Sequence, residues 1–266
     1  MKKTLDHGAQ GRFLVPEMAL ARTVSSQSVI LWLAKGWEDV KALKTTSLLY
    51  AAWFLLIGLM ISFGFYRWQV PYLILPALSG FLLVGPAIAL GFYEGSIRRQ
   101  QGQPFHLHHA LMAFRRCRYP ILGMGIAQVF LFMVWIRLSF TLFAVAFPGV
   151  MPQWVVIFER ATTIEGLHFA IMITALGGLF ATLIFFTGAF SLPLMMDRQT
   201  VLIPALLTSA YAVFLNLKVM LLWASLIVLI MFLGLISGIG LLIAFPLVGH
   251  ATWHAYQAVL GGNEEG

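Results

Sequence analysis

The chain has 266 residues, of which 60% are hydrophobic and only 10% are charged. Because a soluble domain carries about 25% charged residues, this composition excludes a water-soluble fold. The net charge is +7, and we interpret the basic residues through membrane topology before any binding partner. Mean hydropathy is +0.89, and several apolar runs exceed the roughly 20 residues that span hydrocarbon. These features predict an all-α polytopic membrane protein.

The N-terminal residues 1–28 are polar and irregular. They lack the apolar core of a signal peptide and predict a polar arm. The next segment is amphipathic, with apolar residues at helical spacing: Val29, Trp32, Leu33, Gly36, Trp37, Val40 and Leu43. Two interpretations of this helix stay open. It lies in the membrane interface with its tryptophans towards lipid, or it is solvated and packs on the protein's own cytoplasmic face.

Two apolar runs follow, over about residues 46–66 and 70–93, and predict the first two spans. Polar residues then return at 96–118, where Pro104 can start a second amphipathic helix because the first turn of a helix does not need its N–H. The apolar stripe of that helix consists of Leu107, Ala110, Leu111, Phe114 and Cys117. Cys117 is the single cysteine, so an internal disulfide is excluded.

The second half of the chain repeats this pattern. Apolar runs over about residues 120–147 and 167–196 predict the third and fourth spans, and residues 203–217 predict a third amphipathic helix. A single helix over the last run, 219–248, would be about 45 Å long, which exceeds the hydrocarbon thickness of roughly 30 Å. We therefore expect two short spans there with a turn near 237–240, which makes about six spans in all.

The order of these segments predicts an internal repeat. The transmembrane domain, residues 29–260, divides into units of about 29–102, 103–200 and 201–260, followed by a short tail, 261–266. Each unit is an amphipathic helix followed by a transmembrane hairpin. Each amphipathic helix ends in a basic residue, and each hairpin closes on an apolar run with a proline: Lys44, Arg118 and Lys218, then Pro86, Pro193 and Pro246.

The distribution of basic residues predicts the orientation. The side that carries the N-terminus holds Lys2, Lys3, Arg12, Arg22, Lys35, Lys41, Lys44, Arg98, Arg99, Arg115, Arg116, Arg118, Arg198 and Lys218. The opposite side holds only Arg67 and Arg160. We therefore expect a cytoplasmic N-terminus. The excess of basic residues then fixes the orientation in the membrane and attracts anionic lipid. No motif supports binding to nucleic acid.

Charged residues at the ends of the predicted spans are candidates for a site. An ionisable group at membrane depth is by default a functional hypothesis. If the three units are arranged around one axis, a single polar pocket would form from Glu94, Arg98, Arg99, Asp197, Arg198, His250 and His254. The alternative for Glu94 is an ion pair with Arg98, four residues later, which would only pin the end of the helix.

Histidines and one arginine within a predicted span complete the candidates. His250 and His254 share a helix face at i, i+4 and could ligate a metal or haem iron, or they hydrogen-bond neighbouring helix ends. His106 and His109, with His108 between them, form a second weak metal candidate or a solvated cluster. We assign no metal and no cofactor.

Arg137 lies within the third predicted span. Its guanidinium can snorkel to the outer interface, or it pairs with an anionic ligand or a partner subunit. Both alternatives stay open, because neither the spacing nor the composition of this span distinguishes between them.

Four motifs carry a resemblance to a known family: Gly-Trp-Glu-Asp-Val at 36–40, Gly-Pro to Arg-Arg at 85–99, Ser-Leu-Pro-Leu-Met-Met-Asp-Arg at 191–198, and Gly-His-Ala-Thr-Trp-His-Ala-Tyr at 249–256. Over about residues 30–260 the chain resembles a domain-of-unknown-function family of bacterial integral membrane proteins, members of which are often labelled as similar to cytochrome c oxidase subunit I. The resemblance implies an inner-membrane protein with about six spans and no established activity. The oxidase label conflicts with the residues. That subunit needs six histidine ligands in helices, whereas the close histidine pair in a predicted span of this chain is His250 and His254.

These observations lead to one preferred function and two alternatives. We expect a non-enzymatic protein that binds lipid or serves as an accessory of a membrane complex, such as a respiratory enzyme; its partners would be membrane lipids and other membrane-complex subunits. The alternatives are a transporter or channel for a small solute, and a metal or haem protein built on His250 and His254. No P-loop, dinucleotide glycine pattern, Gly-x-Ser-x-Gly or His-Glu-x-x-His motif occurs to indicate a familiar enzyme.

Overall fold

The computed structural model describes residues 16–68, 74–150, 159–160 and 162–261. After a short 3-10 helix, Pro16–Leu20, the helices are α1 Ser28–Ala42, α2 Lys44–Arg67, α3 Ile74–Gln100, α4 Leu107–Leu111, α5 Arg118–Ala146, α6 Ile164–Gly188, α7 Ser191–Arg198, α8 Leu202–Leu215, α9 Leu217–Ser237 and α10 Leu241–Leu260. No strand occurs among the described residues. The all-α prediction is confirmed.

Four helical stretches in the described part of the chain are long and apolar enough to cross a membrane: Lys44–Arg67, Ala113–Ala146, Ile164–Arg198 and Leu217–Ser237. Two further long helices, α3 and α10, cover the remaining predicted spans. The last apolar stretch is a hairpin, as its length required, with its turn at Gly238, whose φ of +65° suits glycine. The chain is thus a polytopic membrane protein.

The element order runs three times through a short amphipathic segment followed by long helices. Each short segment packs on the end of the hairpin that precedes it: α4 on α3, α8 on α6 and α7, and α1 on α10 at the other end of the chain. The amphipathic segments therefore join consecutive units, and α1 joins the first unit to the last by packing on α10.

The core lies at the end of the bundle where these segments pack. Its centre is the second half of α10, where every residue from Gly249 to Tyr256 is buried. Helix α1 approaches this half so closely that a Cβ at Gly36 would lie 2.7 Å from the backbone nitrogen of Ala251. Trp32 on the same face of α1 meets the edge of Trp223, with ring centroids 5.8 Å apart. The buried face of α1 therefore packs on protein.

Away from this end, the spans expose their apolar side chains. In the most apolar windows of α2 and α9 only 11% and 22% of residues are buried. Large exposed side chains such as Met60 and Phe232 are stable there only if lipid covers them. The bundle is therefore solvated by lipid over most of its length.

Two segments differ from the sequence-based expectation. The second amphipathic segment is broken at Met112, with α4 before it and a 3-10 helix, Ala113–Cys117, after it. On the 3-10 helix Ala113 is buried, whereas Phe114 of the predicted apolar stripe is 46% exposed. The arm also docks beyond residue 15: the backbone N–H of Val24 donates to the Asn216 side chain at 2.8 Å. Residues 1–15, 151–158 and 262–266 lie outside the described residues.

Candidate functional site

A buried carboxylate, Asp39 on α1, is the centre of a polar cluster. Its side chain is 2% exposed. Oδ2 accepts a hydrogen bond from the Ser96 hydroxyl at 2.5 Å and lies 2.9 Å from Nε2 of His254. Oδ1 accepts from the guanidinium of Arg99. The cluster therefore joins α1, α3 and α10 through one side chain.

His250 extends this cluster towards α2. Its Nδ1 lies 2.8 Å from the Ser96 hydroxyl, and its Nε2 lies 3.0 Å from the Ser47 hydroxyl. Because the Ser96 proton is given to Asp39, Ser96 accepts from Nδ1–H of His250, and Ser47 then donates to Nε2. The chain of donors runs from Ser47 through His250 and Ser96 to Asp39, and every member is satisfied.

The electrostatics of Asp39 follow from these partners. Burial raises the pKa of its carboxyl, but this is outweighed by the hydrogen bond from His254, the nearby His250 ring, and the hydrogen bonds from Ser96 and Arg99, which together lower the pKa to about 2. Asp39 is therefore ionised at neutral pH, and Arg99 balances its charge. The cluster is neutral as a whole when both histidines are neutral.

The order hydroxyl, imidazole, acid is also found in nucleophilic hydrolases. Here Ser47 and His250 are fully buried, and neither residue lines either of the cavities described below. The arrangement can hold a proton and lock α1, α2, α3 and α10 together, and its serine hydroxyls are buried.

A second carboxylate, Glu94, faces the opposite side of α3. Its side chain is 5% exposed, and Nε of Arg98 donates to Oε1 at 2.7 Å. Nε of Arg116, on the 3-10 helix after α4, lies 2.8 Å from Oε2. Oε2 of Glu94 has no hydrogen-bond donor among the described residues, because the N–H of Arg116 is not aligned with it. We treat this contact as an ion pair. A cleft of about 230 Å³ opens beside this group and is also lined by His108 and His109.

A third carboxylate, Asp197 at the end of α7, is more exposed. Its Oδ2 accepts from the hydroxyl of Tyr256 at 2.6 Å, and Nε of Arg198 is 3.8 Å from the same atom. A guanidinium nitrogen of Arg198 also reaches the Leu260 carbonyl at 3.5 Å. These contacts hold α7 against the end of α10.

The residues expected to share one pocket thus fall into three groups. Arg99, His250 and His254 meet at Asp39. Glu94 and Arg98 form the second group, with the i, i+4 ion pair that the alternative interpretation described. Asp197 and Arg198 form the third. Glu94 and His254 therefore contact different partners at the end of the bundle.

The other candidates lie apart from these groups. The backbone N–H of His106 donates to Nδ1 of His109 at 3.1 Å, which caps α4, and the rings of His108 and His109 lie 3.8 Å apart. Arg137 is on the exposed side of α5, without an ion pair among the described residues. Within the same residues, no group of three or more His, Cys, Asp or Glu side chains is placed to hold a metal ion.

Sequence reasoning missed Asp39, Ser96, Ser47 and Arg116. A signal for Asp39 was present, because it stands seven residues after Trp32 and three after Gly36, which places it on the apolar face of α1. A charge on the buried face of an amphipathic helix calls for a buried partner. The serines gave no comparable signal.

Between the spans lies a cavity of about 460 Å³. Five helices line it, α3, α5, α6, α9 and α10, so all three units contribute. Most lining residues are aliphatic, aromatic or glycine; the side chains with a polar atom are Tyr93, Trp135, Trp223 and Thr252. Phe92 separates the cavity from the Asp39 cluster, since it lines the cavity and packs against His250 with ring centroids 5.5 Å apart.

Comparison with known proteins supports the membrane assignment. Residues 74–197 match the model of a family described as predicted integral membrane protein (DUF2189). This match confirms the resemblance to a membrane protein family of unknown function. No curated protein and no solved structure matches the chain.

Proposed function

We propose that this chain is a non-enzymatic membrane protein that holds a lipid-like, largely apolar molecule between its spans, as an accessory of a membrane complex. The observation that carries the proposal is the cavity of about 460 Å³ among α3, α5, α6, α9 and α10. Sites for small molecules are concave, mostly apolar and about 300–1,000 Å³ in volume. The size and chemistry of this cavity agree with such a site.

The lining favours an apolar occupant. Phe180, Ile184 and Met231 are typical of it, and the hydroxyl of Thr252, one of its few polar groups, already donates to the Val248 carbonyl at 2.7 Å. A hydrocarbon chain needs no hydrogen bonds from its site, and dispersion contacts with aromatic and aliphatic side chains stabilise it. The glycines at positions 85, 177 and 188 leave space for such a chain.

A transporter for a polar solute, the alternative, receives less support from this lining. Solute pathways through membranes are lined by ionisable and hydrogen-bonding groups. None of the residues that line the cavity is charged. Glu94 and Arg98 line the separate cleft instead.

The orientation belongs to the same proposal. The ends of α3 and α7 and the starts of α5 and α9 carry Arg98, Arg118, Arg198 and Lys218, on the side where the amphipathic segments pack. Basic residues of short loops stay on the cytoplasmic side of a membrane. We therefore propose a multi-pass protein of the bacterial inner membrane with a cytoplasmic N-terminus. A partner subunit would contact the lipid-facing spans or this surface.

The test of the cavity uses two neighbouring glycines of α6. Gly177 lines the cavity and Gly178 does not, and an added Cβ meets no atom within 4 Å at either position. Gly177→Phe should fill the cavity and reduce the copurified apolar molecule roughly tenfold, because the ligand and the ring would occupy the same space. Gly178→Phe is the matched control and should retain it.

The measurement is native mass spectrometry of the full chain purified in mild detergent, followed by analysis of an organic extract. Unaltered protein without any stoichiometric apolar molecule would contradict the proposal. So would equal occupancy in both phenylalanine variants.

A further inference from the structure

We infer that the cleft beside Glu94 binds the phosphate of a membrane lipid headgroup. The inference is independent of the apolar cavity, because the two sites have no lining residue in common. The cleft measures about 230 Å³ and lies where the end of α3 meets α4 and the 3-10 helix after it.

Glu94 orients the two guanidinium groups that would meet the phosphate. Each arginine contacts the carboxylate through its Nε, at 2.7 Å for Arg98 and 2.8 Å for Arg116. One terminal nitrogen of Arg98 donates to the Pro104 carbonyl at 3.2 Å. Its other terminal nitrogen and both of those of Arg116 have no partner among the described residues. A carboxylate that holds two arginines by Nε leaves their outer N–H groups as a fixed set of donors.

The charge of the cleft also favours an anion. One carboxylate faces two guanidinium groups, which leaves an excess of one positive charge before the histidines are counted. Arg98 and Arg116 are 21% and 35% exposed, so they are accessible from the cleft, while Glu94 is 5% exposed. Guanidinium groups bind phosphate oxygens through paired N–H donors. His108 and His109 on the facing wall can supply a further N–H.

The surroundings point to a lipid as the source of the phosphate. Met112 lines the cleft and is 45% exposed, and Leu111 and Phe114 beside it are 39% and 46% exposed. Exposed apolar side chains next to basic donors, on an amphipathic segment between two spans, match the arrangement of headgroup and acyl chain at a membrane surface. A soluble phosphate compound would make no use of the apolar side chains.

The experiment compares two adjacent arginines of the 3-10 helix. Arg116 lines the cleft, whereas Arg115 does not. Full-length protein in an uncharged detergent is titrated with phosphatidylglycerol, with phosphatidylcholine, or with inorganic phosphate at matched ionic strength, and bound lipid is counted by native mass spectrometry. We expect Arg116→Ala to weaken phosphatidylglycerol binding roughly tenfold, as the loss of a charge-assisted hydrogen bond does. Arg115→Ala, the matched control, should weaken it about twofold or less.

A second variant keeps the charge and changes the geometry. Arg116→Lys has one side-chain nitrogen in place of three, so the atom that contacts Glu94 would also have to reach the phosphate. It should therefore also lose most of the binding, and it serves as well if the alanine variant folds poorly. Equal losses in Arg115→Ala and Arg116→Ala, or full binding by Arg116→Lys, would overturn the site. Equal occupancy by phosphatidylcholine and phosphatidylglycerol would support a phosphate site that does not select by headgroup charge. Competition by inorganic phosphate at millimolar concentration would support the phosphate site and overturn the lipid as its source.

Discussion

Two buried carboxylates at the same end of the bundle have different surroundings. Asp39 is surrounded by Ser96, Arg99, His250 and His254, and none of these residues lines either of the two cavities described above. Glu94 meets only arginines, one of its oxygens has no hydrogen-bond donor among the described residues, and a cleft opens next to it.

The difference agrees with a structural role for the Asp39 cluster and with the ligand site that we propose beside Glu94. A buried charge is expensive unless hydrogen bonds satisfy it. The Asp39 cluster meets this condition within the chain, since α1, α2, α3 and α10 each contribute a member, and it therefore stabilises the packing of α1 on α10. The Glu94 group meets it only through side chains that reach solvent. It has unused donors and space, which is what a ligand requires.

The largest expected effect comes from a substitution that breaks the buried Asp39 cluster. Asp39→Asn removes the charge that Arg99 and His254 contact, and breaking a buried charge network costs about 3–5 kcal/mol. We expect a large fall in the thermal midpoint in detergent and faster proteolysis of residues 16–42, because α1 loses its anchor. Glu38, next to it, is exposed, so Glu38→Gln is the control and should change the free energy of unfolding by less than about 0.5 kcal/mol. Similar midpoints for the two variants would remove the distinction between the clusters.

A smaller effect is expected from a substitution at Glu94. Glu94→Gln leaves Arg98 and Arg116 without their carboxylate, but both are partly exposed and water can solvate them. We expect a loss of about 1 kcal/mol in the free energy of unfolding, together with weaker binding of phosphatidylglycerol. Chemical denaturation in mixed micelles would measure the first quantity. A loss as large as that of Asp39→Asn would mean that Glu94 has a structural role of the same kind.

The smallest effect is in the acid range of pH. The pKa of Asp39 is lowered to about 2 from an ordinary value of 3.8. A lowered pKa in the folded state contributes stability that is complete above the ordinary value and is lost as the pH falls towards the lowered one. The difference in thermal midpoint between the unaltered chain and Asp39→Asn should therefore be constant above about pH 4 and shrink between pH 4 and 2. A difference that is unchanged down to pH 2 would show that the ionised carboxylate is not its source.

Much of the fold could be predicted because it depends on local properties of the chain. Apolar run length predicted the spans, and the 30 Å limit of hydrocarbon predicted the hairpin at Gly238. The spacing of Val29, Trp32 and Gly36 predicted the amphipathic α1. Of the polar contacts, only the pair of Glu94 and Arg98, four residues apart, was available to the same kind of reasoning.

The sequence by itself therefore determined the membrane class and the long helices, since hydropathy and helical periodicity act over a few turns. The tertiary structure decided which polar residues meet. Asp39 and His254 are 215 positions apart, and their contact exists because α1 closes onto α10, a packing that no local spacing specifies. The same packing separated Glu94 from His254, because α3 turns Ser96 and Arg99 towards Asp39 and His254 but turns Glu94 towards Arg116. Asp39 thus lies in a buried cluster of polar side chains, and Glu94 lies beside an open cleft.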